Sequence, residues 1–335
     1  MCGIYAYFNS SKSFYIPENC KSLMKRGPND AVRIVEKYYS VAFYRLAIVG
    51  VKNGKQPFVV GDITLLCNGE IYNHLDLEEE HKIINESGSD CEVILHLYIK
   101  YGIEKTLSLI KGEFAFILID KSKSLTYFAR DPFGIKPLYL SYTLDDDQKV
   151  ESLELASVPS ALDWAFNVNH VYPGHLYTYD YINKVLSSNL CSVFNYIPDE
   201  TININTIYKR LQEAVIKRIV QTEVPVGFFL SGGIDSCTIL SLALQSDLLE
   251  KNTKVFTFGF HESAPDVLNA WKMVNWLKKK YGDDCIDWHL VIQPYEDGID
   301  IIDSVIYELA TFTSSQREAS WKPAAADPIT FGILR

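Results

Sequence analysis

Met1-Cys2-Gly3-Ile4-Tyr5-Ala6-Tyr7-Phe8 opens the chain and joins two signals. A strand-like apolar run over 4–8 follows a cysteine that becomes the first residue once Met1 is removed. Removal is usual when the next side chain is small. A free α-amino group has a reference pKa of about 7.7–8.0, so near neutral pH a useful fraction is an unprotonated base beside the thiol. Nucleophile and base then share one residue, as they do at an N-terminal threonine. A cysteine at position 2 is more often incidental than catalytic, so its neighbours decide the reading.

Outward from that run, short apolar alternating segments recur at 32–35, 41–45, 64–67, 114–119, 125–129 and 137–142, punctuated by Gly, Asn and Asp. These predict strands. Helical spacing is found at 92–101 and in the stretch before Arg26. Many antiparallel strands with a few covering helices predict a layered sheet sandwich. Asn68-Gly69, read locally, predicts a type I′ hairpin turn, which can also aim a side-chain donor and a backbone donor together.

The chain carries Met-Cys-Gly-Ile at 1–4, Arg26-Gly27-Pro28, Arg45-Leu46-Ala47-Ile48-Val49, Gln56-Pro57, Asn68-Gly69-Glu70-Ile71-Tyr72-Asn73, Ser89-Asp90-Cys91-Glu92 and Ala129-Arg130-Asp131-Pro132-Phe133-Gly134. In this order and spacing they resemble the class II glutamine amidotransferases, the N-terminal-nucleophile glutaminases, over residues 2 to about 180. The resemblance implies an αββα sandwich with Cys2 as nucleophile. It implies an oxyanion hole from the Asn68 side-chain amide and the Gly69 backbone N–H, chemistry that a tetrahedral intermediate requires. It assigns Arg45 to the carboxylate of glutamine, a geometric match for an arginine fork. Asp90, with Glu70, takes the ammonium, and 45–49 form the binding loop. One departure stands out: the family's Arg-Gly-Pro-Asp is here Arg26-Gly27-Pro28-Asn29, with Asp30 one position later. That places the local loop contacts in question but not the nucleophile.

After a loose segment around 188–201 the rhythm changes. Helices are expected at 206–220, 237–245, 266–281 and 299–311, and strands at 226–230, 254–260 and 287–292. Alternation of this kind predicts a parallel α/β sheet with ligands at the strands' carboxyl ends. Between the first strand and its helix lies Ser231-Gly232-Gly233-Ile234-Asp235-Ser236. Two glycines over a helix N-terminus build a nest of backbone N–H groups suited to anions. No Walker A or GxGxxG pattern occurs. The loop resembles the pyrophosphate loop of the adenylate-forming ATP pyrophosphatases. That resemblance implies ATP held by Leu230, Ser231, Gly232, Gly233, Asp235, Ser236 and Phe258, with Asp235 helping to hold Mg²⁺.

Together the halves resemble the glutamine-hydrolysing asparagine synthetase family. The expected organisation is a glutaminase domain over 2–190, a linker over 191–205, a partial ATP-pyrophosphatase domain over 206–313 and an unassigned tail over 314–335. The chain reads as truncated or diverged after about residue 313. The resemblance implies glutamine, aspartate and ATP as substrates and allows a homodimer. A glutaminase with a vestigial ATP domain and a non-catalytic binding or scaffold protein are the other readings.

Composition is consistent with this frame. The 335 residues suit about two domains at roughly 150 residues each. With 32 Lys+Arg against 42 Asp+Glu, the net charge of -10 disfavours nucleic acid as partner. No apolar run is long enough to span a bilayer, so no membrane association is expected. Seven cysteines without a CxxC pair point to free thiols in a reducing compartment. No signal-peptide pattern opens the chain. A cytoplasmic location is the expectation.

Overall fold

The computed structural model describes residues 1–9, 16, 18–162, 168–191 and 203–292. The chain divides into two compact units, Met1–Ile197 and Pro198–Arg335. The first holds β1 (Gly3–Asn9), β2 (Asp30–Val35), β3 (Tyr39–Arg45), β4 (Phe58–Val60), β5 (Ile63–Ile71), α1 (His74–His81), α2 (Glu92–Tyr101) and α3 (Ile103–Leu109). These are followed by β6 (Gly112–Asp120), β7 (Leu125–Arg130), β8 (Tyr139–Leu144), β9 (Val150–Ala156), β10 (Asn169–His170), β11 (His175–Asp180) and β12 (Val185–Leu190). Short 3-10 helices occupy Glu18–Lys25 and Pro159–Ala161.

Two six-stranded antiparallel sheets result, ordered β10-β8-β9-β1-β3-β2 and β12-β11-β7-β6-β5-β4. Alternation decides what each strand buries. In β1, Ile4, Ala6 and Phe8 join Leu66, Ala115, Ile117 and Phe128 in the core between the sheets. Tyr5 and Tyr7 turn outward, where Tyr5 and Tyr7 pack with Cys20 and Leu23 of the first 3-10 helix. On the far side of the second sheet, Leu65, Cys67, Phe114 and Phe116 receive Leu77, Ile94, Leu97 and Leu107 from the three helices. The expected four-layer sandwich is present, with a 3-10 helix in place of an α-helix over the first sheet.

The strands β9 to β12 and the helix α1 do not stand out in the sequence. Their patterns are interrupted by polar residues that the fold satisfies internally. Glu154, for example, is buried in β9 and accepts a hydrogen bond from the Tyr5 hydroxyl at 2.7 Å.

The second unit contains α4 (Ile204–Val220), β13 (Phe228–Phe229), α5 (Ile234–Gln245), β14 (Thr253–Gly259), α6 (Pro265–Tyr281) and β15 (Ile286–Ile292). Its strands pair in parallel in the order β13-β14-β15. Val215 and Ile219 of α4, Leu240 and Ala243 of α5, and Ala270, Val274 and Leu277 of α6 close the core over Val255 and Ile286. The expected helix at 299–311, the tail at 314–335 and most of the expected linker lie outside the described residues. Among the described residues no helix is long and apolar enough to cross a membrane.

Candidate active site

Cys2 sits immediately before β1, against the start of the loop that leaves β3. Its Sγ accepts the Leu46 N–H at 3.3 Å, and the thiol lies 3.6 Å from the Leu46 carbonyl. The Arg26 Nε donates to the Cys2 carbonyl at 3.2 Å. Burial pushes the Cys2 thiol up, while the adjacent amino terminus and the Leu46 N–H draw it down. Burial also moves the terminal amine, here that of Met1, from 8.0 down to about 5. Cys2 and Glu70 oppose that fall, whereas Lys136 and Arg26 assist it. Burial therefore favours the neutral form of both the Cys2 thiol and the Met1 amine; an unprotonated amine beside a thiol is the combination in which a proton passes from sulfur to nitrogen as the sulfur attacks.

Asn68 and Gly69 do not form the expected hairpin turn. They lie inside β5, where Asn68 pairs with Ala115 and Gly69 with Phe114 of β6. The turn propensity of Asn-Gly is overridden by a ladder of nine residue pairs, Ile63↔Asp120 through Ile71↔Gly112. Gln56 adds a clamp: its side-chain amide both donates to the Cys67 carbonyl (3.1 Å) and accepts the Cys67 N–H (2.7 Å). Alternation then puts Leu66, Asn68 and Glu70 on the face toward the first sheet, and β1 packs against β5. A Cβ on Gly69 would fall 2.5 Å from the Glu113 carbonyl, so only glycine allows this approach. The Asn68 Nδ2 is buried with no hydrogen-bond partner among the described residues. An orphaned buried donor is costly, and it is what a site awaiting an anionic oxygen presents.

Arg45 ends β3 and is buried. Its Nη2 donates to the Gly50 carbonyl at 2.6 Å and its Nη1 to the Val51 carbonyl at 3.1 Å, so the loop 46–50 wraps its guanidinium. Leu46, Ala47, Ile48 and Val49 are thus held beside it. Asn29, the departure noted above, is part of this loop's support: its Oδ1 accepts the Ala47 N–H at 2.9 Å and its own N–H donates to the Arg45 carbonyl at 2.9 Å. An amide oxygen accepts as a carboxylate would. Asn29→Asp is accordingly expected to leave glutamine turnover within about twofold. Asn29→Ala removes one hydrogen bond, worth about 1 kcal/mol, and should lower kcat/KM for glutamine by roughly fivefold in steady-state assays.

Asp90, just before α2, is also buried. It accepts the Ile71 N–H at 2.6 Å, and burial raises its pKa against the lowering effect of that bond. It forms no ion pair among the described residues. A buried carboxylate in that condition has a place for a cation. The structure thus brings Cys2, Leu46 and the Arg45 loop together directly, and places Asn68, Glu70 and Asp90 on or beside β5. Sequence reasoning gave no role to Arg26, Gln56 or Lys136; only their inclusion in, or nearness to, the quoted motifs pointed to them.

In the second unit, the loop 231–236 follows β13 at its carboxyl end. Helix α5 begins at Ile234 rather than 237, so Asp235 and Ser236 belong to its first turn, with Gly233 as N-cap. Gly232 has φ +75, and a Cβ there would meet the Ala270 N at 2.6 Å, so α6 packs on the loop's backbone. The two serine hydroxyls are 3.1 Å apart; the Ser236 Oγ accepts the Ser231 N–H, and the Ser231 Oγ accepts the Gly233 N–H. These hydroxyls hold the loop's shape and would exchange partners to reach an anion. The Leu230 N–H donates to the Phe256 carbonyl and its carbonyl accepts the Thr257 hydroxyl, so this backbone is already engaged by β14. The Phe258 ring is half-buried, 5.5 Å from that of Phe229. Asp235 is exposed. No group of three or more His, Cys, Asp and Glu suited to a metal ion is found among the described residues. One carboxylate beside an anion loop is still compatible with Mg²⁺, which takes one or two carboxylates and completes its shell with phosphate oxygens and water.

Comparison with known proteins adds two family matches. The model described as glutamine amidotransferase domain covers residues 1–207, and that described as asparagine synthase covers residues 206–322. The asparagine synthetase [glutamine-hydrolyzing] of Mus musculus is 32% identical over 357 residues, covering 96% of this chain and 61% of that protein. Asparagine synthetase [glutamine-hydrolyzing] 3 of Arabidopsis thaliana is 34% identical, covering 96% of this chain and 56% of that protein. The chain thus spans about three-fifths of the length of the curated relatives it matches. Among solved structures, the allosteric regulatory enzyme of purine biosynthesis aligns with a TM-score of 0.48 at 16% identity, covering 87% of this chain and 80% of that one.

Proposed function

Since the chain belongs to the glutamine amidotransferase domain family, we propose that its first unit hydrolyses glutamine to glutamate and ammonia and that its second binds ATP to activate aspartate, the ammonia then yielding asparagine. The observation that carries the first half is the buried Asn68 Nδ2, which has no hydrogen-bond partner among the described residues and lies on β5, the strand that packs against β1 just after Cys2.

With Met1 removed, the Cys2 amine takes the thiol proton as sulfur attacks the glutamine amide carbon. The Asn68 amide and the Gly69 N–H hold the developing oxyanion. The protonated amine then passes its proton to the departing nitrogen, ammonia leaves, and a γ-glutamyl thioester remains on Cys2. Water, deprotonated by the same amine, attacks the thioester; glutamate departs and the thiol is restored. Arg45 with its loop 46–49 takes the substrate carboxylate, and Asp90 with Glu70 takes its ammonium. The buried Asp90 carboxyl, which forms no ion pair among the described residues, and the loop-wrapped guanidinium support those assignments.

In the second half, an aspartate carboxylate oxygen attacks the α-phosphorus of ATP and pyrophosphate leaves. Ammonia then attacks the acyl carbon and displaces AMP. Adenylation is required because a carboxylate is a poor electrophile. Leu230, Ser231, Gly232, Gly233, Ser236 and Phe258 form the ATP site; the loop's N–H groups and the α5 N-terminus receive the phosphates. Asp235 would hold Mg²⁺, which supplies charge neutralisation at the phosphates. Glutamate release tests the first half. Pyrophosphate release that requires aspartate and MgATP together tests the second, and a folded sample giving none would reduce the chain to a glutaminase. Gly232→Ala should lower pyrophosphate release at least about tenfold while leaving glutamate release unchanged, since an alanine there is strained in φ and meets α6.

A further inference from the structure

One edge of β5 is closed by side chains rather than by a strand. On its other side β6 pairs with it along its whole length, from Ile63 to Ile71. On this edge β4 reaches only Ile63 to Leu65, with Phe58 opposite Leu65. Continued in register, residue 56 would stand opposite Cys67 and residue 54 opposite Gly69. The backbone turns away instead: the Gly54 N–H donates to the Gly50 carbonyl at 2.7 Å, the carbonyl that Arg45 also holds. What reaches Cys67 is the Gln56 side chain, 6% exposed, whose amide takes both the N–H and the carbonyl of that residue at 2.7 and 3.1 Å.

The direction of the next backbone groups follows from that clamp. A strand residue turns its N–H and C=O to one side, and the next residue turns them to the other. Cys67 faces away from β6, so Gly69 and Ile71 do as well. Two contacts agree: the Ile71 N–H donates to the Asp90 carboxylate at 2.6 Å, and the Cys91 thiol donates to the Gly69 carbonyl at 3.4 Å. The Gly69 N–H therefore points to this same edge, between the groups that Gln56 and Asp90 cap. A strand partner would supply an acceptor at every second residue and would consume that N–H. A side-chain amide satisfies one residue and stops. It also holds the Cys67–Asn68 peptide, from which the Asn68 side chain projects.

We propose that Gln56 is a positioning residue of the glutaminase site: its amide replaces a strand partner at Cys67, so that β5 stays extended through Asn68 while the Gly69 N–H is left for the oxyanion. This rests on the glutaminase reading. Gln56 acts only through the two donors that follow Cys67. Its loss should therefore weaken the tetrahedral state and spare the contacts of Arg45 and Asp90 with the charged groups of the substrate.

The test is glutamate release by the full chain with Met1 removed, read alongside the binding of two ligands. One is the γ-aldehyde analogue of glutamine, to which the Cys2 thiol adds to give a hemithioacetal with its oxygen in the oxyanion position. The other is L-norvaline, which has the carboxylate and the ammonium but no γ-carbonyl. Gln56→Met should lower kcat about thirtyfold with KM within about twofold, and should weaken the aldehyde by a similar factor while leaving norvaline unchanged. Gln56→Asn keeps an amide too short to hold both Cys67 groups; it should show the same split at about tenfold and carries the test if Gln56→Met unfolds. A parent chain releasing no glutamate would overturn the glutaminase reading and this inference together. With an active parent, an unchanged kcat in a folded variant, a rise in KM matched by weaker norvaline binding, or unfolding of both variants would overturn this inference alone.

Discussion

Cys2→Ala is expected to abolish glutamate release from glutamine, lowering it by at least about a thousandfold, because the variant has no atom that can carry the acyl group. Cys2→Ser is the more informative companion. A hydroxyl is a far poorer nucleophile at neutral pH, so it too should be inactive or nearly so. The site around it should persist, because a serine hydroxyl can take the place of the Cys2 Sγ between the Leu46 N–H and carbonyl, and Arg26 binds the main-chain carbonyl of residue 2. Thermal unfolding of both variants close to that of the parent would show that chemistry rather than folding has been lost. Retained turnover in Cys2→Ala would place the reaction elsewhere.

Asn68→Ala has the second-largest expected effect. The side-chain amide is buried and its Nδ2 has no hydrogen-bond partner among the described residues. Removing an oxyanion donor from such a site costs roughly 10² to 10³ in kcat, with a much smaller change in KM. Stability should move the other way or not at all, since deleting an unsatisfied buried donor relieves a desolvation cost. That opposition separates an oxyanion role from a structural one. A loss of activity accompanied by a comparable loss of stability would contradict the assignment.

How much of this was legible beforehand varied with the range of the deciding contacts. The apolar runs 4–8, 41–45 and 114–119 appear as β1, β3 and β6 because their burial on both sides is written in their composition. Asn68-Gly69 was misread as a turn because its local propensity is strong, while what holds it extended is remote: the β6 ladder, the Gln56 clamp and the Glu113 carbonyl. Asn29 is a comparable case. The chain shows only that a carboxylate is missing, whereas the fold shows that an acceptor for the Ala47 N–H is what the position needs.

The start of α5 was placed too late because Gly233, Asp235 and Ser236 are weak helix formers; such residues are at home at an N-cap and in a first turn, which is where they stand. The Gln56 amide and the Cys67 backbone it holds are 11 residues apart in sequence and carry no spacing signal at all.

The central claim is that Cys2, exposed as the first residue, is the nucleophile that carries the γ-glutamyl group. Incubating the chain with a glutamine analogue bearing an electrophile at the γ-position and measuring intact and peptide masses tests this most directly. The predicted result is one equivalent of label on an N-terminal peptide that begins at Cys2. Label on another cysteine such as Cys237, or an unlabelled chain that has lost Met1, would contradict it.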